Sequence, residues 1–126
     1  MGFLEKWQPQ LLSVLRIVAG LLFLEHGMSK LLHFPHVAMF DDIKIVSLIG
    51  LAGIIELVGG ALVTIGLFTR YAAFIMSGEM AFAYFMVHAK QNFFPLLNMG
   101  EGVILFCFIF LYIAAAGPGP WSLDRK

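Results

Sequence analysis

The chain has 126 residues, of which 60% are hydrophobic and 13% are charged, and its mean hydropathy is +0.90. A soluble domain carries about 45–50% apolar and about 25% charged residues, and a small domain cannot hide such an excess of apolar side chains from water. The composition therefore excludes an ordinary soluble globule and indicates an integral membrane protein. The formal net charge of zero gives no sign of a nucleic-acid partner, and a single cysteine, Cys107, excludes an internal disulfide.

Four apolar segments have the length of about 17–25 residues that a membrane-spanning helix needs. The first follows Pro9, a residue suited to the first turn of a helix. The last ends at the Gly-Pro-Gly-Pro stretch of 117–120, which stops a helix. Lipid offers no hydrogen bonds to an open backbone, so all four segments are predicted to be helices. The predicted spans are 11–32, 45–68, 71–89 and 98–116.

Short connections between these segments predict their arrangement. Thr69 and Arg70 are expected to form a tight turn, which makes the second and third helices antiparallel neighbours. The connection at 90–97 is also short, whereas 33–44 is the longest and most polar one. The chain is therefore predicted to be all-α, with residues 1–126 forming a single domain, an integral membrane antiparallel four-helix bundle.

An even number of spans places both termini on the same side of the membrane. Trp7 and Trp121 flank the bundle on that side, as interfacial aromatic residues do. Cations are slightly more numerous there, so the positive-inside rule predicts that both termini are cytoplasmic. The cations are Lys6, Arg70, Arg125 and Lys126 on the terminal side, and Lys30, Lys44 and Lys90 on the other.

Charged residues inside a span are costly, and they usually face the interior of the bundle. In the first helix, a rotation of about 100° per residue places Arg16 and Lys30 on one face with small residues such as Gly20. Small residues allow close approach of a second helix. This face is therefore expected to point inward, while Glu25 points the opposite way.

Glu56 is the only charged residue between 45 and 68, and it shares a helical stripe with Ala52 and Gly60. It is therefore expected to face another helix. At a rise of about 1.5 Å per residue, Glu79 lies about 12 Å from the start of the third helix and Arg16 about 9 Å from the start of the first. Arg16 is predicted to pair with Glu79, and Glu56 is the alternative partner.

Two interpretations of Arg16, Glu56 and Glu79 are open. In the first, they form an ion-pair network that fixes the register of the helices. In the second, they form a catalytic proton-handling site, in which Glu56 and Glu79 carry protons and Arg16 is their electrostatic partner.

A second polar group lies near the far ends of the first, third and fourth helices. It is predicted to bind substrate or to form an outer proton path. Glu101 also lies in the first turn of the fourth helix, where the macrodipole favours an anion, and this structural explanation stays open for it. The members of the outer polar cluster are His26, Lys30, His88, Asn98 and Glu101.

The histidines give little support for a metal site or a haem. His26, His33 and His36 follow one another at H-x6-H-x2-H spacing, but Pro35 argues against a helix that would hold the last two together. A haem with His26 and His88 as its two axial ligands is geometrically possible, because both residues lie at outer helix ends. The pattern favours neither cofactor.

Three stretches of the chain resemble the DoxX family of small bacterial membrane proteins. They are LLSVLRIVAGLLFLEHGMSKL at 11–31, LIGLAGIIELVGGALVTIGLFTRYAA at 48–73 and GEGVILFCFIFLYIAAAGPGPWSLD at 100–124. The family is named for its similarity to a subunit of a thiosulfate:quinone oxidoreductase, and the resemblance implies the bacterial inner membrane. It carries no agreed catalytic residues onto this chain.

The leading hypothesis is a membrane redox component that acts with quinone and a partner oxidoreductase subunit. The sequence has no motif for its own electron carrier, so a bound cofactor or a partner would supply electrons. The alternative is a non-enzymatic binding, transport or scaffold subunit, and transport would require a homo-oligomer because four short helices leave little room for alternating access. A third hypothesis is that the charged residues only orient the helices.

Overall fold

The computed structural model describes residues 2–38, 41 and 47–124, and within them the chain is helical, with no strand. A π-helical turn directly continues the fourth helix, and two of the helices are single short turns. The helices are α1 (Gly2–Glu5), α2 (Gln8–Leu32), α3 (Leu48–Ile65), α4 (Thr69–Ala83) with its π turn (Tyr84–His88), α5 (Pro95–Asn98) and α6 (Glu101–Ala116).

The first long helix, α2, follows the predicted pattern. Pro9 lies in its first turn, and His33 ends it in the left-handed conformation at φ 57°. Arg16 and Gly20 are buried on its inner face, and Glu25 is exposed on the other side, so the predicted orientation is confirmed.

The second long helix, α3, begins and ends with recognisable caps. The Ser47 hydroxyl accepts a hydrogen bond from the Gly50 amide at 3.0 Å, and Gly66 ends the helix at φ 76°. Left-handed backbone of this kind suits glycine and stops a helix. The helix ends three residues before the predicted boundary as a result, while residues 45 and 46 lie outside the described residues.

The next boundaries differ from the prediction in two places. The turn between α3 and α4 consists of residues 66–68, and Thr69 is already helical, so the predicted turn at Thr69 and Arg70 is wrong. Asn98 belongs to the short α5 rather than to the last span, because Met99 takes a left-handed φ of 63° and interrupts the helix before α6.

The helices α2 and α3 run in opposite directions and contact each other at glycines. A methyl group added to Gly20 would lie 2.6 Å from the Thr64 hydroxyl, and one added to Gly27 would lie 2.4 Å from the Leu57 nitrogen. As residue numbers increase along α2, the numbers of the contacting residues in α3 decrease, so the two helices are antiparallel. Because no side chain fits at these points, the two backbones approach closely.

The helices α4 and α6 form a second close pair. The Ser77 hydroxyl donates to the Cys107 carbonyl oxygen at 2.7 Å, and Arg70 donates to the Ala114 carbonyl oxygen at 3.1 Å. Phe23 of α2 joins the two pairs, since its ring packs edge-on against Phe110 of α6 at 4.7 Å between centroids. The buried apolar core lies along this junction.

In the part of the chain that the structure describes, two helices, α2 and α3, are long and apolar enough to cross a membrane. The helix α6 is equally apolar but has only 16 residues. Many large apolar side chains along the helices are exposed, for example Val18, Val58, Ile75 and Leu105. Exposed apolar faces of this extent are typical of helices that contact lipid.

Candidate functional site

An ion pair joins the last turn of α2 to the middle of α3. The Lys30 ammonium donates to both carboxylate oxygens of Glu56 at 2.8 Å each. Glu56 is 1% exposed, so its predicted interior position is confirmed. Gly27, which touches the backbone at Glu56 and Leu57, brings the two helices close enough for Lys30 to reach it.

Glu79 of α4 completes this group. Its carboxyl group lies within hydrogen-bonding reach of the Glu56 carboxyl group, and Lys30 acts on it electrostatically. An ionised carboxylate only accepts hydrogen bonds, and two in contact repel each other, so a bond between them requires a proton on one of them. The Glu79 Oε1 atom is buried and has no hydrogen-bond partner among the described residues.

A cavity of about 920 Å³ lies beside these carboxyl groups. Its polar lining comes from residues that the sequence assigned to two separate groups, whereas the rest of the lining is mainly apolar, including Phe23, Met80 and Phe106. The structure therefore brings together five of the eight candidate site residues, namely His26, Lys30, Glu56, Glu79 and His88.

The two histidines of the cavity are oriented by backbone carbonyl groups. His88 Nδ1 lies 2.8 Å from the Asn98 carbonyl oxygen, and His26 Nδ1 lies 2.7 Å from that of Leu22. A carbonyl oxygen only accepts, so each Nδ1 donates, and in the neutral ring the second nitrogen, Nε2, is the acceptor. The histidines are thereby set up as bases.

The π turn places His88 at the cavity. A π turn inserts an extra residue into a helix and is frequent at functional sites. Tyr84, at its start, stacks on the His88 ring at 6.4 Å between centroids. Asn98 is buried and donates to the Tyr84 hydroxyl at 3.1 Å and to the Asn92 carbonyl oxygen at 2.9 Å. The sequence shows no clear signal for this turn.

Two predicted members of the outer polar cluster, Asn98 and Glu101, do not line the cavity. Asn98 holds the connection before α6 in place, with its side-chain oxygen accepting from the Gly100 amide at 2.8 Å. Glu101 is exposed in the first turn of α6, in the position where the macrodipole favours an anion.

Arg16 does not lie near the carboxyl groups. It is 1% exposed, and its guanidinium donates to the carbonyl oxygens of Pro118, Trp121 (2.6 Å) and Thr64 (3.5 Å). The predicted pair of Arg16 with Glu79, and the alternative pair with Glu56, are wrong. The prediction assumed that the helices start at equal depth. Since Gly20 lies opposite Thr64, near the end of α3, the residues of α2 before Gly20 extend beyond the level at which α4 begins.

The segment after α6 folds back under the helices. The Trp121 amide donates to the Ser13 hydroxyl at 3.1 Å, and the Asp124 amide donates to the Gly66 carbonyl oxygen at 2.7 Å. The Asp124 carboxylate in turn accepts from the amides of Phe68 at 2.7 Å and Thr69 at 3.0 Å, which caps α4.

These contacts set the pKa of Asp124. Partial burial alone would raise it, but hydrogen bonds from Thr69 and Phe68, together with the positive charge of Arg16, outweigh that effect. The pKa of Asp124 therefore lies below its usual range.

Comparison with known proteins gives a consistent set of relatives. A family model described as DoxX matches residues 11–89. An uncharacterised protein of Haemophilus influenzae is 46% identical, over 100% of this chain and 97% of its own. An uncharacterised membrane protein of Mycobacterium tuberculosis is 26% identical over 94% and 82%, and the inner membrane protein YqjF of Escherichia coli is 27% identical over 89% and 88%. No solved structure matches this chain.

Proposed function

The chain belongs to the DoxX family of membrane proteins, and on that premise we propose that it is a membrane-embedded redox component that binds a quinone beside Glu56 and Glu79. A partner oxidoreductase subunit supplies the electrons. The protein chain supplies the binding cavity and the protons.

In this proposal the four long helices form an antiparallel bundle across the bacterial inner membrane, with both termini cytoplasmic. The length and apolar character of α2 and α3 support the crossing, as does the similarity to the inner membrane protein of Escherichia coli. The opposite directions in which α2 pairs with α3, and α4 with α6, support the antiparallel arrangement.

The observation that carries the proposal is the pair of carboxyl groups, Glu56 and Glu79, in the wall of an apolar cavity. One buried oxygen of the pair, Glu79 Oε1, has no hydrogen-bond partner among the described residues, and a ligand that hydrogen-bonds to it removes the cost of burying it unpaired. A quinone carbonyl oxygen is such a partner, because it accepts a hydrogen bond from a protonated carboxyl group. The cavity volume lies within the range of about 300–1,000 Å³ that is typical of ligand sites.

The charges of the site suit proton exchange in a medium of low dielectric. Lys30 neutralises one carboxylate, so the pair of Glu56 and Glu79 can hold one proton without a net charge. Reduction of a quinone takes up as many protons as electrons, and Glu79 is the group placed to pass them on. His26 and His88 then form the outer path that returns protons to the site.

The first experiment measures binding. The purified chain in detergent is titrated with a short-tailed ubiquinone analogue by calorimetry, beside the variant Gly102→Leu. Gly102 lines the cavity, and a side chain there meets no atom within 4 Å at its first carbon, so a leucine is expected to occupy cavity space without disturbing the fold. We expect binding to the wild type and a loss of at least about tenfold in the variant. Failure of the wild type to bind would overturn the proposal.

The second experiment tests the proton on the carboxyl pair. Infrared spectroscopy should show the carbonyl stretch of a protonated carboxyl group, which shifts when the quinone binds and disappears in Glu79→Gln. The exposed Glu25→Gln is the matched control and should keep the band. If the quinone binds but quinone reduction in membranes is equal in Glu79→Gln and the wild type, the chain is instead a non-enzymatic binding, transport or scaffold subunit.

A further inference from the structure

A second cavity, of about 660 Å³, lies at the end of the molecule where α2 begins and α6 ends. Its wall includes the start of α4 and the Gly-Pro segment of 118–120. Tyr71 and Tyr112 line it and are strongly exposed. Exposed tyrosines at the ends of membrane helices lie at the level of the lipid headgroups, so the cavity faces that layer.

One fixed cation and one fixed anion line this cavity. Arg70 donates from Nη1 to the carbonyl oxygens of Ala114 and Ala115, and its other two nitrogens donate to no described residue, so their donors are left for a ligand. The Asp124 carboxylate accepts two backbone amides and retains further lone pairs. Both charges are held in place by the backbone before any ligand arrives.

Thr69 helps to hold the anion of this wall. The residue is 0% exposed and lines the cavity. Its hydroxyl lies within hydrogen-bonding reach of the Asp124 carboxylate, which also accepts from the Thr69 amide at 3.0 Å. The position of the Asp124 charge is therefore fixed by two groups of one buried residue.

We propose that this cavity binds an amine-bearing phosphodiester, the headgroup of a zwitterionic phospholipid. The phosphate lies on the Arg70 guanidinium, and the ammonium lies on the Asp124 carboxylate. Arginine is suited to phosphate because its planar fork donates two parallel hydrogen bonds. Asp124 disfavours a headgroup with a net negative charge, so the site selects an ethanolamine headgroup over a glycerol one. The site is separate from the quinone cavity.

The test compares lipids on the purified full chain in detergent. Phosphatidylethanolamine, phosphatidylglycerol and soluble glycerophosphoethanolamine are added separately, and the midpoint of thermal unfolding and the lipid retained in native mass spectra are recorded. We expect phosphatidylethanolamine to bind and to raise the midpoint at concentrations at least tenfold lower than phosphatidylglycerol. If soluble glycerophosphoethanolamine acts as strongly as phosphatidylethanolamine, the headgroup site is supported and its ligand is a soluble compound rather than a lipid.

Two variants and two matched controls locate the effect. Arg70→Gln should abolish the lipid-dependent rise, whereas Lys6→Gln removes an exposed cation at the same end and should keep it. Asp124→Asn should bring the two lipids to nearly equal affinity, while Glu5→Gln should not. Each shift is measured against the same variant without lipid, so a change in basal stability does not mask it. Equal binding of both lipids by the wild type, or an unchanged response of Arg70→Gln, would overturn the proposal.

Discussion

The Lys30 ammonium donates to both oxygens of the Glu56 carboxylate at 2.8 Å, and this pair lies between two helices that contact each other through glycines. The Lys30 side chain is 16% exposed and that of Glu56 is 2% exposed, so water screens the pair little. Removal of one member of a buried pair costs about 3–5 kcal/mol, because the other charge is left without a partner.

Lys30→Met should therefore lower the midpoint of thermal unfolding in detergent, measured by the loss of helical circular dichroism. Replacement of both charges by apolar groups is often neutral or stabilising, so the double variant Lys30→Met with Glu56→Met should recover most of the loss. The exposed Glu25→Gln serves as the control. A single variant as stable as the wild type would show that Glu56 is not neutralised by Lys30.

Two glycines inside helices should respond oppositely to the same substitution. A methyl group on Gly27 would lie 2.4 Å from the Leu57 nitrogen, a backbone atom that cannot move aside, whereas one on Gly78 would meet nothing within 4 Å. Gly27→Ala should destabilise the protein by about 1–3 kcal/mol through overpacking. Gly78→Ala should be neutral or stabilise by up to about 1 kcal/mol, since alanine favours helix. Urea or thermal unfolding of both variants in the same detergent tests the difference, and equal effects would contradict the close contact of α2 and α3.

Helical periodicity was sufficient to predict which faces point inward. Arg16 and Glu56 are buried as their stripes of small residues indicate, and Glu25 is exposed. The reason is that a charged side chain in an apolar segment is costly when it faces lipid and therefore faces the interior. Small residues beside it indicate contact with a neighbouring helix. The inward position of Glu56 follows from this reasoning, whereas Glu79 was placed only by its depth along the third helix.

Periodicity did not predict how deep each helix lies. The chain alone does not show that α2 begins beyond the level of α4, so Arg16 was paired with the wrong group. Nor does it show that Met99 interrupts the last span at φ 63°, since left-handed methionine is uncommon. The carbonyl oxygens of Pro118 and Trp121, which hold Arg16, belong to a segment whose path depends on contacts distant in sequence.

Arg16→Lys should loosen the segment after α6. The guanidinium donates to carbonyl oxygens of three different residues, and a lysine ammonium cannot reproduce this planar arrangement of donors. Each bond lost from a charged donor costs about 1.5–3 kcal/mol. Hydrogen exchange followed by mass spectrometry should show faster exchange at the Trp121 and Asp124 amides, with the rates around Ser77 unchanged. Unchanged protection of residues 118–124 would contradict the role given to Arg16.

Asp124 predicts a specific dependence of stability on pH. Its carboxylate caps α4 from the far end of the chain, and its pKa is lower in the folded protein than in the unfolded chain. The folded state therefore favours the ionised form. The resulting stabilisation is fully present above the unfolded value of about 3.9, and it is lost as the pH falls through the folded value.

Asp124→Asn keeps one acceptor but removes the charge, so at pH 7 it should lower stability by about 1 kcal/mol, as loss of a helix cap does. The difference between the wild type and Asp124→Asn should shrink as the pH is lowered below about 4, because the wild-type carboxyl group then becomes neutral as well. Thermal unfolding of both proteins at a series of pH values from 7 to about 2 measures this difference in stability. Glu5→Gln, which removes an exposed carboxylate at the same end, should differ little from the wild type at any pH. A gap between the wild type and Asp124→Asn that stays constant down to pH about 2 would mean that the carboxylate charge does not stabilise the cap.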